Sequence, residues 1–373
     1  MAEHANPYHY GVVVGINRYP GGYAALKGPV ADARAFAAWL TDPGQGGLPK
    51  ANVQRVITQR PFPKNLGEAR PTKEVIDDAL WASYKALRSQ LDAAPEEQRS
   101  ELRKTSRLYL FVAGHGIMPG GGDAALLDAK AELDRPTNLD LGRYLDWFRR
   151  DGLFAEVCIF ADCCRGFELL AEPGSPGFGR AGRAPEAVRF LLALATSAGE
   201  LSFEDATSDP DEWRGHFSYA LMQGLGGAAA DPDTGYVTSD ALIAYARRIV
   251  TDRTAGLGSG RQQSVPEPVL SGTLRFGPER SVAEPAANGG PAAPPGREAR
   301  KVVIAFRRRR RGMVELVAPD GTTQVWDIAD GPWTVWLYDG TWYVQHAGKP
   351  MHTTGFADDG VFTITGEGRD VSL

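Results

Sequence analysis

The 373 residues include only three cysteines, at positions 158, 163 and 164. A cluster that tight cannot join distant parts of a chain, so a disulfide-stapled scaffold is excluded and a reducing, cytoplasmic setting is expected. No apolar run approaches the roughly 18 residues that a membrane span needs. The opening MAEHANPYHY lacks a basic start followed by an apolar stretch, so no secretory signal is expected. Basic residues are not in excess: 41 Lys and Arg stand against 46 Asp and Glu, a net charge of −5. That balance argues against nucleic acid as the main partner. No fixed-period repeat is present, which excludes a solenoid. Gly120-Gly-Gly-Asp123 has neither a lysine nor a strand–loop–helix frame beside it, so it reads as a surface loop and not as a phosphate cradle.

With 43% hydrophobic and 23% charged residues, the composition is that of a globular chain, long enough for one large core and a smaller module. Short apolar runs at 11–16, 53–58, 108–113, 157–161, 190–195 and 269–276 read as strands. Helical patterns at 28–40, 72–91, 140–150, 217–224 and 239–250 lie between them. Proline at 29 suits a first helical turn, and Thr72 is expected to cap the second helix. This alternation predicts an α/β fold with a mainly parallel sheet covered by helices on both faces. Residues 278–300 are rich in Pro, Gly and Ala and read as a semi-rigid linker. Beyond it, β-like runs at 301–306, 313–317, 322–328, 333–338, 341–346 and 361–365 are broken by Asp320-Gly321, Asp339-Gly340 and Asp359-Gly360, which read as hairpin turns. The expected domains are therefore 1–277, the linker, and a small all-β domain at 301–373.

Ligands of a parallel sheet bind beyond the carboxyl ends of its strands. Two chemically capable side chains end strands here: His115 after 108–113 and Cys164 after 157–161. A thiol becomes a nucleophile when an imidazole or a helix N-terminus favours its thiolate, and the imidazole then carries the proton to a leaving amine. Cys164-Arg165-Gly166 lies 49 residues after His115, a spacing and local sequence found in caspases.

Val14-Gly-Ile-Asn17, Leu26-Lys-Gly-Pro-Val-Ala-Asp32, Phe111-Val-Ala-Gly-His-Gly116, Phe160-Ala-Asp-Cys-Cys-Arg-Gly166 and Phe217-Ser-Tyr-Ala-Leu221 follow one another in order. On these motifs the sequence resembles bacterial members of the caspase/metacaspase family, clan CD cysteine peptidases, over roughly residues 8–277. The resemblance implies Cys164 as nucleophile, His115 as general acid and base, and the backbone N–H groups of Gly116 and Cys164 as an oxyanion hole. It also implies that Asp162 and Asp32 line a pocket for arginine or lysine before the scissile bond. The expected activity is therefore a cysteine endopeptidase cutting proteins or peptides after basic residues, in a bacterial stress, cell-death or anti-phage pathway. No cofactor and no metal are expected, and calcium is assigned no site. Two departures touch the pocket: Arg165-Gly166 stands where metacaspases usually carry His-Ser, and Ala113 replaces a serine often found there.

Other readings stand beside these. Asp32 falls in a first helical turn, where an acid is favoured in any case. His216 reads as a helix-start residue and Cys158 as a buried small hydrophobe. Cys163 could face either way. Arg307 to Arg311 reads as a solvated hairpin tip, because 301–373 balance eight basic against nine acidic residues. Trp326, Trp333, Trp336 and Trp342 fit either a core or a face for a protein partner. The stretch 171–185 reads as an exposed, mobile loop with Arg180 and Arg183 as self-cleavage sites. The alternative function is a caspase-like scaffold without turnover, whose β module binds a partner.

Overall fold

Alternate residues of the first strand already define two buried layers. In the computed structural model β1 (His9–Gly15) sends Val12 and Val14 to one face and Val13 to the other, all three fully buried. A strand covered on both sides requires this pattern. The structure describes residues 6–277 except 121–122, 183, 185, 207–212, 232–235, 255–264 and 266–267. Further on it describes 299–305, 313–317, 323–327, 333–338, 340–346, 361–364 and 371–372. The chain divides into two compact units, Met1–Arg280 and Ser281–Leu373.

After β1 the first unit runs through α1 (Pro29–Thr41), β2 (Val53–Ile57), α2 (Lys73–Ala93), α3 (Glu96–Lys104) and β3 (Arg107–Ala113). Next come β4 (Gly116–Pro119), β5 (Ala125–Leu127), β6 (Asn138–Asp140), α4 (Leu141–Asp151), β7 (Glu156–Asp162) and β8 (Gly166–Glu168). It ends with β9 (Arg189–Leu194), β10 (Glu204–Ala206), β11 (Trp213–Gly215), α5 (His216–Gln223), β12 (Val237–Thr238), α6 (Ser239–Thr254), β13 (Val269–Ser271) and β14 (Arg275–Phe276). The main sheet has the order β13-β9-β7-β3-β1-β2, and only β13 runs antiparallel to its neighbour. One face is covered by α2 and α4 through Ile76, Leu80, Tyr144 and Phe148. The other is covered by α1, α5 and α6 through Phe36, Leu40, Phe217 and Leu242. This is the α/β layering expected from the alternating elements.

Local chemistry sets the element ends. Asp140 caps α4 by accepting from Arg143 N at 2.9 Å, and Gly152 closes the same helix at φ 72°. Thr72 does occupy the capping position of α2, but its side chain makes no cap hydrogen bond there, which corrects that expectation. The run 269–276 is not one strand. Gly272, at φ 73°, turns the chain between β13 in the main sheet and β14, which pairs with β12. A small sheet, β6-β5-β4-β8, stands beside the main one and carries the chain on both sides of the candidate site.

The second unit contains β15 (Ala299–Ala305), β16 (Met313–Val317), β17 (Thr323–Asp327), β18 (Trp333–Tyr338), β19 (Gly340–His346), β20 (Val361–Ile364) and β21 (Val371–Ser372). Its strands form two sheets, β18-β15-β21 and β17-β16-β19-β20. β18 and β19, on either side of Asp339-Gly340, therefore belong to different sheets and do not pair as a hairpin. Trp342 is fully buried and serves the core. The side chains of Trp326, Trp333 and Trp336, the run Arg307 to Arg311 and residues 278–298 lie outside the described residues.

Candidate active site

Strand register brings the two candidate residues together. β3 and β7 are parallel neighbours, with Ala113 opposite Asp162. His115 and Cys164 each follow two residues after that pair, so both leave the sheet side by side at its carboxyl end. Both line one open cleft, together with Asp32, Asp162, Ser202, Phe203, Glu204 and Gly215.

His115 is held from several sides. Its backbone N–H donates to the Tyr19 hydroxyl at 2.9 Å, and its ring lies 4.9 Å from the ring of Tyr19 and 5.7 Å from that of Tyr23. Nε2 is 2.8 Å from the Ala24 carbonyl oxygen. A carbonyl can only accept, so Nε2 carries the proton and Nδ1 keeps a lone pair. Burial holds the imidazole pKa below its ordinary value, against the upward pull of that hydrogen bond. Gly114 must lack a side chain, because a Cβ there would run into the Tyr19 hydroxyl.

Cys164 is half-buried, and Ser202 N–H donates to its Sγ at 3.2 Å. Burial pushes its thiol above the usual range, opposed by the Ser202 N–H. Both shifts favour the uncharged forms, a neutral thiol beside a neutral imidazole. Cys163 points into the core at 2% exposure, and burial raises its thiol strongly. Cys158 is fully buried, with its thiol pushed up to about 12, as an inert core cysteine should be. Gly116 packs against this turn: a Cβ there would stand 2.7 Å from Cys163 Cβ and Sγ. The backbones at 116 and 164 are thus neighbours.

Three carboxylates line the cleft, each tied to main-chain N–H groups. Asp162 accepts from Ser218 N at 2.9 Å, Ser218 Oγ at 2.6 Å and Ser202 Oγ at 2.6 Å. Asp32, 1% exposed, accepts from Gly215 N at 2.9 Å and from Arg214 Nε. Glu204 accepts from Lys27 N at 2.9 Å and Gly28 N at 2.7 Å, at the start of α1. A carboxylate offers about four acceptor positions, so each can still receive a cation. Glu204 is the residue that sequence reasoning missed. Its signal was faint: an acid two residues after Ser202, in a three-residue strand without periodicity.

His216 is buried, and its Nδ1 accepts from Arg253 Nε at 3.1 Å, a helix-start residue engaged away from the cleft. Residues 171–182 lack regular structure, but they are strapped across α2 and α4 and do not hang free, which corrects the expectation of a mobile loop. Gly177 N donates to Asp77 at 3.0 Å, Trp147 Nε1 to Gly179 O at 2.7 Å, and Gly182 N to Asp151 at 2.9 Å. Phe178 stacks on Trp81 and meets Trp147 edge-on at 4.6 Å. Arg180 is exposed beside the end of α4, near the amino end of β7, while Cys164 follows the carboxyl end of that strand. Seven strand residues separate the two ends by about 20 Å. Arg183 lies outside the described residues. Among the described residues no cluster of three or more His, Cys, Asp or Glu is placed to hold a metal ion, and no helix is long and apolar enough to cross a membrane.

The family described as Caspase domain matches this chain over residues 9–274. A probable protease from a Desulfuromonadales bacterium is 26% identical over 295 residues, covering 74% of this chain and 33% of that protein. The chain thus spans about a third of that relative's length. Among solved structures, caspase-1 from Spodoptera frugiperda aligns at TM-score 0.46 and 16% identity, over 74% of this chain and 92% of that one. The Drosophila initiator caspase Dronc aligns at TM-score 0.39 and 9% identity, over 72% and 80%.

Proposed function

The chain belongs to the caspase-domain family, and from that premise we propose that it is a cysteine endopeptidase cutting polypeptides after arginine or lysine. One observation carries the reading: a single cleft presents a thiol, an imidazole with a fixed tautomer, and three anchored carboxylates. In the first step Cys164 Sγ attacks the scissile carbonyl carbon while its proton passes to His115 Nδ1. The carbonyl oxygen becomes an oxyanion that accepts from the N–H groups of Gly116 and Cys164. The carbon–nitrogen bond then breaks, and His115 returns the proton to the departing amine. Water, deprotonated by His115, cleaves the thioester and restores the thiol. Asp162, Asp32 and Glu204 select the cation before the cut, because a carboxylate-lined pocket favours a guanidinium or ammonium and repels an aspartate. Reporter peptides that differ only in the residue before the cut test this directly. Turnover after Arg and Lys and none after Asp is expected, and the reverse pattern would overturn the reading.

A neutral resting pair has a chemical consequence. Burial disfavours the Cys164 thiolate, so alkylation by iodoacetamide should be slow at pH 7 and rise only above about pH 8.5, the ordinary thiol range. Mass mapping of the adduct against pH checks this. A reactivity plateau reaching below pH 7 would instead show a preformed thiolate–imidazolium pair.

The strap across α2 and α4 bears on self-processing. A bond after Arg180 lies far from the Cys164 of its own chain, so any cut there is made by another copy. Active enzyme mixed with a Cys164→Ala chain is expected to cleave the inactive chain at a rate proportional to enzyme concentration. Phe178→Ala, which releases the strap, should speed that cut about tenfold, the scale of losing a buried aromatic contact of roughly 1 kcal/mol or more. Cleavage at a rate independent of dilution would contradict this.

A further inference from the structure

We propose that Arg214 is a positioning residue for the basic-residue pocket, a counter-ion that holds Asp32 ionised from behind so that an incoming arginine or lysine meets a charged wall. The inference rests on the pocket reading proposed above.

Asp32 stands between the cleft and Arg214. Its carboxylate lines the cleft, whereas Arg214 is not among the lining residues and its side chain is only 12% exposed. Arg214 Nε holds Oδ1 of Asp32, and the next backbone N–H, of Gly215, holds Oδ2 at 2.9 Å. Gly215 also separates Asp32 from Asp162, since a Cβ at that position would strike Asp162 Oδ2. Two buried carboxylates are thus kept apart by one glycine, with a guanidinium on one of them.

Like charges so close cannot both stay ionised in a dry site unless a cation accompanies them. Before substrate arrives, Arg214 is the cation positioned to do this. Burial pushes the Asp32 pKa up to about 7, Arg214 pulls it down, and Asp162 adds to the rise. Of the other charged groups around that turn of α1, Asp205 stands opposite Arg214 in the β10–β11 pair, and Lys27 holds its ammonium 3.8 Å over the Trp213 ring. Glu204, His115 and Cys164 line the same cleft. α5 brings His216, which accepts from Arg253. β3 brings Tyr109, which accepts from Arg107 at 2.8 Å. Arg55 of β2 is exposed. The sequence gives Arg214 no such role, because it lies 182 positions from Asp32 and meets it only through β11.

The test is steady-state kinetics of the full chain on arginyl and lysyl reporter peptides between pH 6 and 9. Removing the guanidinium raises the Asp32 pKa, so a larger fraction of Asp32 is protonated at neutral pH and ionisation returns as pH rises. Arg214→Met is expected to raise KM about tenfold or more at pH 7, one unit of pKa being a factor of ten, with kcat within about twofold and the deficit shrinking toward pH 9. Arg214→Lys, which keeps the charge, should stay within about threefold of wild type. An unchanged KM in Arg214→Met, or a lower KM at every pH, overturns the inference; the second result would make Arg214 a competitor of substrate. If Arg214→Met does not fold, Arg214→Lys decides, and a tenfold rise at every pH there overturns it equally. Absence of any Arg or Lys preference in the wild type would instead defeat the pocket reading itself, before a variant is made.

Discussion

Cys164→Ala and His115→Ala are each expected to lower peptide hydrolysis by at least about 10³-fold, because groups acting as one unit lose most of their effect when either is removed. Both residues stand beyond strand ends and outside the two hydrophobic layers, so the melting temperature should shift little. Cys163→Ala is the informative control. Cys163 is 2% exposed and packs against Gly116, so its loss should cost some stability, about 1 kcal/mol for a small buried group, and leave most activity. A dead Cys163→Ala beside an active Cys164→Ala would move the nucleophile by one residue. Activity measured together with thermal melts separates a lost reaction from a lost fold.

Specificity should fail in a graded way. Asp162→Asn removes a buried charge that three hydrogen bonds hold in place, and kcat/KM for arginyl peptides should drop by about 30- to 1,000-fold, the range for truncating one partner of a buried charge pair. Glu204→Gln should cost less, about tenfold, because that carboxylate is half-exposed and solvent screens it. Hydrolysis of a peptide with a neutral residue before the cut should change in neither variant. Equal losses on charged and neutral peptides would assign these acids to structure and not to selection.

The sheet could be read from sequence because its strands are buried on both sides and announce themselves as β-branched and aromatic runs. Register then did what spacing alone could not: Ala113 opposite Asp162 places His115 beside Cys164. Apart from the nine-residue α3, the pieces that escaped detection are short. β4, β5, β6 and β8 have four residues or fewer, too few to show a period of two, and β8 carries the exposed Phe167. Asp339-Gly340 misled because the turn signal is local, whereas the partners of β18 and β19 are set by distant strands. Residues 171–182 misled for a related reason. Gly and Pro exclude regular structure there, but one aromatic, Phe178, suffices to dock the stretch. Glu204 reaches the cleft, and Arg214 reaches Asp32 from behind it, through the paired strands β10 and β11, whose neighbourhood with α1 no local pattern encodes.

The most direct measurement is covalent capture: the full chain treated with arginyl, lysyl and aspartyl peptide electrophiles of one reactive group, followed by intact mass and peptide mapping. One adduct per chain on Cys164 is expected from the arginyl and lysyl reagents, slowed strongly in His115→Ala and absent with the aspartyl reagent. Labelling of Cys163 or Cys158 in its place, or capture by the aspartyl reagent alone, would contradict the account.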